Sequence, residues 1–186
     1  LNYLDIKTVI VSCGTCMDQL LKYEFGKIFP GCRLLDIHEY LMEKGVGLNG
    51  VSGEKYLYHD PCHTPMKTHA PLKVASALLN GEVKLSDRCC GESGTLAVTR
   101  PDISTQIRFR KEEEINKGVA ALGQPGTVKL LTSCPSCLQG LARYSDDTRT
   151  EPDYIVVELA KRLLGEHWME NYLAKAGSGG IERVLL

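Results

Sequence analysis

The chain has 186 residues, 43% of them apolar, a formal net charge of −1 and a pI near 6.6. That apolar content supports a packed core without disulfide staples, and 22 basic residues spread along the chain leave no electrostatic footprint for nucleic acid or an anionic membrane. No apolar run approaches the ~20 residues of a bilayer span, and the first residues lack the basic stretch and apolar core of a signal peptide, so the cysteines, eight in all, read mostly as ligands in a cytoplasmic protein rather than as secreted disulfides.

In chain order, residues 8–12 form a strand-like run that ends at Cys13-Gly14-Thr15-Cys16. A helical pattern over 17–25, an extended run over 33–37 and a second helix over 39–44 follow, the last stopped by Gly45, placed where a helix C-cap favours glycine. Residues 45–53 carry four glycines and read as a flexible connection. A strand over 55–59 then enters Asp60-Pro61-Cys62, and a helix over 71–79 opens on proline and ends at Asn80-Gly81. A strand over 83–86 leads into Cys89-Cys90. The charged helix over 101–121 shows Ile103, Ile107 and Ile115 on an inner face and 110–114 as a solvated outer one.

The opening unit then returns. Residues 127–133 run into Cys134-Pro135-Ser136-Cys137 much as 8–12 run into Cys13 and Cys16, followed by a helical pattern over 138–144, an extended run over 154–157 and a helix over 158–164 ending at Gly165. A late helical stretch with Trp168, Met169 and Tyr172 is expected to pack rather than to bind a cofactor. Strands alternating with helices imply βαβ units around mostly parallel sheets, an α/β fold. The duplication divides the chain into the tail of a first repeat at 1–48, a complete second repeat at 49–175 and a tail at 176–186. The opening leaves no room for counterparts of Cys62, Cys89 and Cys90 upstream of Cys13, so the chain reads as a piece of something longer with its first repeat truncated.

Cys62, the adjacent pair Cys89-Cys90, and Cys134 with Cys137 each follow a strand-like run. In open parallel sheets ligands gather beyond the carboxyl ends of strands, so loops from neighbouring strands can bring these thiols together. Thiolates suit iron–sulfur clusters and zinc, and a two-residue spacer lets both sulfurs of a pair reach one centre. Five sulfurs exceed a four-ligand zinc or ordinary cubane site, which leaves a larger or distorted cluster, or one thiol held in reserve. Structural zinc and thiol–disulfide exchange are the alternatives.

His59-Asp60-Pro61-Cys62-His63, Cys89-Cys90-Gly91-Glu92-Ser93-Gly94 and Ser133-Cys134-Pro135-Ser136-Cys137, in that order, resemble the cysteine-rich CCG domain family. Its types are the cysteine-rich subunit of heterodisulfide reductase and the iron–sulfur subunits of glycolate, lactate and anaerobic glycerol-3-phosphate dehydrogenases. The resemblance implies tandem CCG repeats, with Cys62, Cys89, Cys90, Cys134 and Cys137 holding a 4Fe-4S cluster, non-cubane in the reductase branch. Cys13 and Cys16 would be the surviving part of the first site, where zinc is the alternative metal. It further implies electron transfer within an oxidoreductase, a flavin-linked 2-hydroxyacid dehydrogenase of the lactate or glycolate type. FAD would lie elsewhere in the full-length protein or a partner, a flavoprotein would donate, and a quinone or other carrier would accept, the assembly being peripheral to the inner membrane through its partners. Disulfide or thiol chemistry at the cluster, and a zinc-stabilised docking module, are the competing functions.

Gly91 and Gly94 are expected to let backbone amides approach the sulfurs. His59 and His63, flanking Cys62, are candidates for ligands, proton donors or hydrogen-bond partners of cluster sulfur, with plain packing or N-capping as the alternative. Cys32, His38, His69 and His167 have no motif around them and read as core or surface residues.

Overall fold

The computed structural model describes residues 4–48, 54–92 and 96–179. Two sheets, both wholly parallel, carry the chain. The smaller pairs β1 (Thr8–Val11) with β2 (Arg33–Asp36), and the larger has the order β4 (Glu82–Leu85), β3 (Lys55–His59), β5 (Val128–Thr132), β6 (Thr150–Tyr154). Each parallel step needs a crossover, which the helices supply. These are α1 (Gly14–Lys22), α2 (Phe25–Ile28), α3 (Ile37–Glu43), α4 (Pro71–Leu79), α5 (Leu96–Thr99), α6 (Pro101–Leu122), α7 (Pro135–Ala142), α8 (Ser145–Thr148), α9 (Ile155–Leu164) and α10 (Trp168–Gly177). The architecture is α/β, as the alternation of strand and helix implies. Among the described residues no helix is long and apolar enough to cross a membrane.

The larger sheet is covered on both faces, and the strands show why. Successive side chains alternate across a sheet. Tyr56, Tyr58 and Leu131 therefore join Val74, Ala75, Leu78 and Leu79 of α4 and Ile155 and Leu159 of α9, while Leu57, Val128 and Leu130 join Ile115 and Leu122 of α6 and Leu141 of α7. Central β3 is consequently buried over Tyr56–His59, the pattern of a parallel strand enclosed on both sides. Leu57 is 0% exposed, so Leu57→Ala is expected to lower unfolding free energy by about 2–5 kcal/mol in urea denaturation. The same change at Leu164, 69% exposed, should stay within about 0.5 kcal/mol.

Helix boundaries follow local chemistry. Both α4 and α6 open on proline, whose missing N–H costs nothing at a first turn. The left-handed Asn80 and Gly123 end them. Asp36 caps α3 by accepting from His38 N at 2.9 Å, and its carboxylate also holds His38 Nδ1 at 2.8 Å, both side chains being fully buried.

One order of elements occurs twice: strand, cysteine, helix, short helix, strand, helix. Cys13 precedes α1 at φ −140°, ψ 124° and Cys134 precedes α7 at φ −133°, ψ 121°. Val11 pairs with Asp36 where Thr132 pairs with Tyr154. The two units touch through polar contacts. Tyr154 Oη donates to Ser12 O at 3.0 Å, Glu39 Oε1 accepts from Thr68 N and His69 N, each at 2.7 Å, and Asp18 of α1 meets both His63 Nδ1 and Lys67 Nζ.

Three expectations are corrected. Residues 155–157 are not extended but open α9, and the strand is Thr150–Tyr154. Ile155, Glu158 and Leu159 are the buried positions, a helical spacing that outweighs the β-branched composition, while Pro152 and Asp153 disguise a strand that sits at the sheet edge, where proline is tolerated. Lys111, read as solvated, is fully buried on α6. Finally, α10 buries none of its residues, and Met169 and Tyr172 are 48% and 56% exposed, so that stretch does not pack as expected. The connection at 45–53 lies partly, and the tail at 176–186 mostly, outside the described residues.

Candidate metal centre

The loops leaving β1, β3, β4 and β5 meet beyond the carboxyl ends of those strands around a cavity of about 250 Å³, whose lining includes Cys13, Cys62, Cys89, Cys90, Cys134 and Cys137. This is below the ~300–1,000 Å³ usual for organic ligands, so the space suits a compact inorganic group better than a nucleotide. Cys16, by contrast, is exposed and does not line it. Its thiol is raised above the ordinary value by hydrogen bonding to Cys13. The amino-terminal pair thus differs in setting, Cys13 lining the cavity and Cys16 exposed beside it. Cys32 is half-buried elsewhere.

The sulfurs are held from several directions. Cys90 and Cys137 Sγ stand 3.4 Å apart. Gly91 N donates to Cys89 Sγ at 3.4 Å, the residue sitting at φ +79° with no room for a Cβ, which would fall 2.9 Å from Arg108 Cγ. Tyr144 Oη donates to Cys90 O at 3.0 Å, and Tyr58 Oη ties the loops after β3 and β5 by reaching both Asp60 Oδ1 and Ser133 Oγ. A ring nitrogen of His59 and the Sγ atoms of Cys90 and Cys137 all lie within 4.8 Å of one another. His63 lines the cavity mouth with its ring turned to Asp18. Gly94 lies outside the described residues.

Electrostatics divide the thiols. Cys90 is driven far below the ordinary thiol value by hydrogen bonds from Cys137 and Cys89. Cys134 falls to about 6, through Cys137 first and then the amides of Cys137 and Ser136 at the start of α7, as helix N-termini do for thiols. Cys137 and Cys89 are raised in return, each by its hydrogen bonds to neighbouring cysteines and by burial. The thiols are thus coupled in pairs, Cys90 and Cys134 pushed towards the thiolate and Cys89 and Cys137 towards the protonated form. Further deprotonation would crowd like charges, and a cation bound among the sulfurs removes that obstacle by displacing the protons. The donor set thus fits a thiolate-bound metal group. All eight cysteines are free thiols.

Lys111, whose Nζ reaches His59 Nδ1 and Asp87 O, and Tyr144, which donates to Cys90 O, brace the loops of this site from outside the cavity, and the sequence reading did not single them out. Lys111 sits in a run of charges, and Tyr144 follows Cys137 by two helical turns. That spacing is the one signal that could have pointed to it.

The profile of the cysteine-rich CCG domain matches residues 56–142. Residues 56–142 are a CCG domain. A second profile, described as a domain of unknown function, DUF3400, matches residues 142–186. The chain is 27% identical over 145 residues to one of the subunits of fumarate reductase (CoM/CoB) of Methanothermobacter marburgensis, covering 73% of this chain and 27% of that protein. It is 27% identical over 142 residues to an iron–sulfur protein of Methanococcus maripaludis, with the same two coverages. It is 31% identical over 90 residues to the glycolate oxidase iron–sulfur subunit of Escherichia coli, covering 45% of this chain and 22% of that one. The chain with its CCG domain therefore spans about a quarter of the length of these relatives. No solved structure matches it.

Proposed function

We propose that the CCG domain holds an iron–sulfur cluster, of the 4Fe-4S class, in the cavity beyond β3, β4 and β5, and serves as an electron-transfer domain of a larger oxidoreductase. The convergence of six cysteines from four strand-end loops on one small cavity carries the reading. Cys62, Cys89, Cys90, Cys134 and Cys137 would be the ligands. When bound, the cluster supplies a one-electron couple spread over iron and sulfide. The chain's own part is to set where that couple lies, through thiolate charge at Cys90 and Cys134, amide donation from Gly91 and burial of Cys90 and Cys137. Cys62 is exposed, so an electron donor or acceptor would approach from that side.

The names of the relatives support iron–sulfur work in an oxidoreductase. Within that class, the glycolate oxidase subunit favours a flavin-linked 2-hydroxyacid dehydrogenase, with FAD in another part or a partner, a flavoprotein as donor, a quinone or other carrier as acceptor, and a cytoplasmic location. The repeated element order supports reading 1–48 as the end of a first repeat and 49–175 as the second, with Cys13 and Cys16 the remnant of that first repeat's metal site, of which Cys16, exposed and outside the cavity, takes no part in the iron centre. The exposure of Cys62 beside a thiolate-rich cavity favours a second reading, disulfide or thiol chemistry at the cluster.

Anaerobic reconstitution of the chain with iron and sulfide, followed by iron and sulfide analysis and electron paramagnetic resonance, tests the first reading. Stoichiometric iron with a reducible signal is expected. A folded chain that takes up zinc and no iron overturns it, and a spectrum perturbed by added disulfide would select the second.

A further inference from the structure

The buried lysine of α6 is an odd neighbour for a metal centre, and its contacts decide what His59 can do. Lys111 Nζ lies 2.6 Å from Asp87 O, 2.8 Å from Ser86 O, 2.9 Å from Ser86 Oγ and 3.1 Å from His59 Nδ1. Carbonyl oxygens only accept, so two of the three ammonium hydrogens are committed to the turn that carries β4 into Cys89 and Cys90. The third is left to Ser86 Oγ and His59 Nδ1. An ammonium has no lone pair, so Nδ1 is the acceptor in its contact with Lys111, and the ring proton of neutral His59 sits on Nε2. That nitrogen is buried and has no hydrogen-bond partner among the described residues. Orphaned buried donors are rare in native proteins and call for an explanation. The sulfurs of Cys90 and Cys137, grouped with the ring within 4.8 Å, are the acceptors at hand.

We propose that Lys111 is a positioning residue for the sulfur cradle: it holds His59 as the Nε2–H tautomer, so that the imidazole donates to sulfur at Cys90 and Cys137 instead of ligating metal, and its buried charge favours the reduced state of the bound cluster. The tautomer is a property of the chain alone, whereas the effect on reduction rests on the iron–sulfur reading. A ligating imidazole needs its lone pair at the metal, and its other nitrogen ordinarily donates to a carboxylate or carbonyl. Here the second nitrogen faces a donor, which reverses that polarity. Burial lowers the Lys111 amine against the pull of the thiolates nearby, while Ser86 O, Ser86 Oγ and Asp87 O around Nζ all suit a donor and so favour the ammonium.

Nitrogen-15 correlation spectra of the imidazole rings in the metal-free full chain at pH 7, with His59 assigned by its loss in His59→Gln, test the first half. A proton on Nε2 is expected, and a proton on Nδ1 overturns the proposal, whether or not any Lys111 variant folds. Redox titration of the reconstituted chain, followed by electron paramagnetic resonance, tests the second. Lys111→Met should shift one-electron reduction about tenfold towards the oxidised form, which is about 59 mV for one electron, at unchanged iron content. Lys111→Arg, which keeps the charge, should restore most of the shift. An unmoved potential in Lys111→Met with full iron content overturns the charge role and leaves the iron–sulfur reading standing. A chain that binds no iron sinks that reading, and with it the charge role, while the ring-nitrogen result still decides the tautomer.

Discussion

Iron uptake falls more than about 100-fold in Cys90→Ser and in Cys137→Ser and is unchanged in Cys16→Ser. Loss of a residue that merely supports a ligand costs about 10–100-fold in metal affinity, and these two thiols are nearer than that to the proposed centre. They are the buried pair, 4% and 8% exposed, with sulfurs 3.4 Å apart. Removing either also disturbs the charge pattern of the other, since Cys137 is the main cause of the lowered Cys90 thiol. A serine hydroxyl is too weak an acid to replace the thiolate. Cys16 occupies the position in α1 that Cys137 occupies in α7, yet it faces solvent, so its loss leaves the cavity wall intact. Iron bound per chain after anaerobic reconstitution, in the presence of a competing chelator, measures all three. Equal losses across the three variants would mean that the cavity is not where the iron sits.

Gly14→Ala loses about 3 kcal/mol or more of stability, the largest effect expected of a single methyl group added to a glycine among the described residues. A Cβ at Gly14 would stand 1.6 Å from His63 O and 2.7 Å from the carbonyl carbon behind it. Overfilling a core usually costs about 1–3 kcal/mol, because side chains turn aside. Here both parties are backbone, so relief requires α1 to move away from the loop that carries Cys62. That movement also breaks the contacts of Asp18 with His63 and Lys67 and withdraws Cys13 from the cavity. Gly26→Ala is the control, since nothing lies within 4 Å of its added Cβ and alanine is the better helix former. Urea denaturation of both variants decides the matter, and a Gly14→Ala chain as stable as Gly26→Ala would show that α1 does not press on the loop after β3.

The strand over 55–59 and the helix over 71–79 were legible to the residue, because an apolar run between turn signals and a proline-to-asparagine bracket are local facts. The gathering of the cysteines was legible too, since each group follows a strand and parallel strands end on the same side. Lys111 was not. It lies in a run of charged residues from Arg110 to Glu114, and only the packing of α6 over β3 and β4 shows that one of them points inward. The strand at Thr150–Tyr154 was hidden for a different reason. Its middle residues, Glu151, Pro152 and Asp153, have little strand preference of their own and are held by pairing with β5, which is tertiary information. Likewise no local signal separates Cys16 from Cys137, because burial there depends on what packs over the helix.

The strand order has a bearing on how the cavity comes into being. Cys134 and Cys137 are neighbours as soon as α7 closes its first turn, but Cys62 and Cys90 reach them only once β3 has been inserted between β4 and β5. Parallel pairing of this kind joins segments distant along the chain and belongs to the slower regime of folding. A zinc finger folds only together with its metal. Here the last two loops are set by the sheet, with apolar layers on both faces, so a chain that has not paired β3 with β4 and β5 offers no complete receptacle.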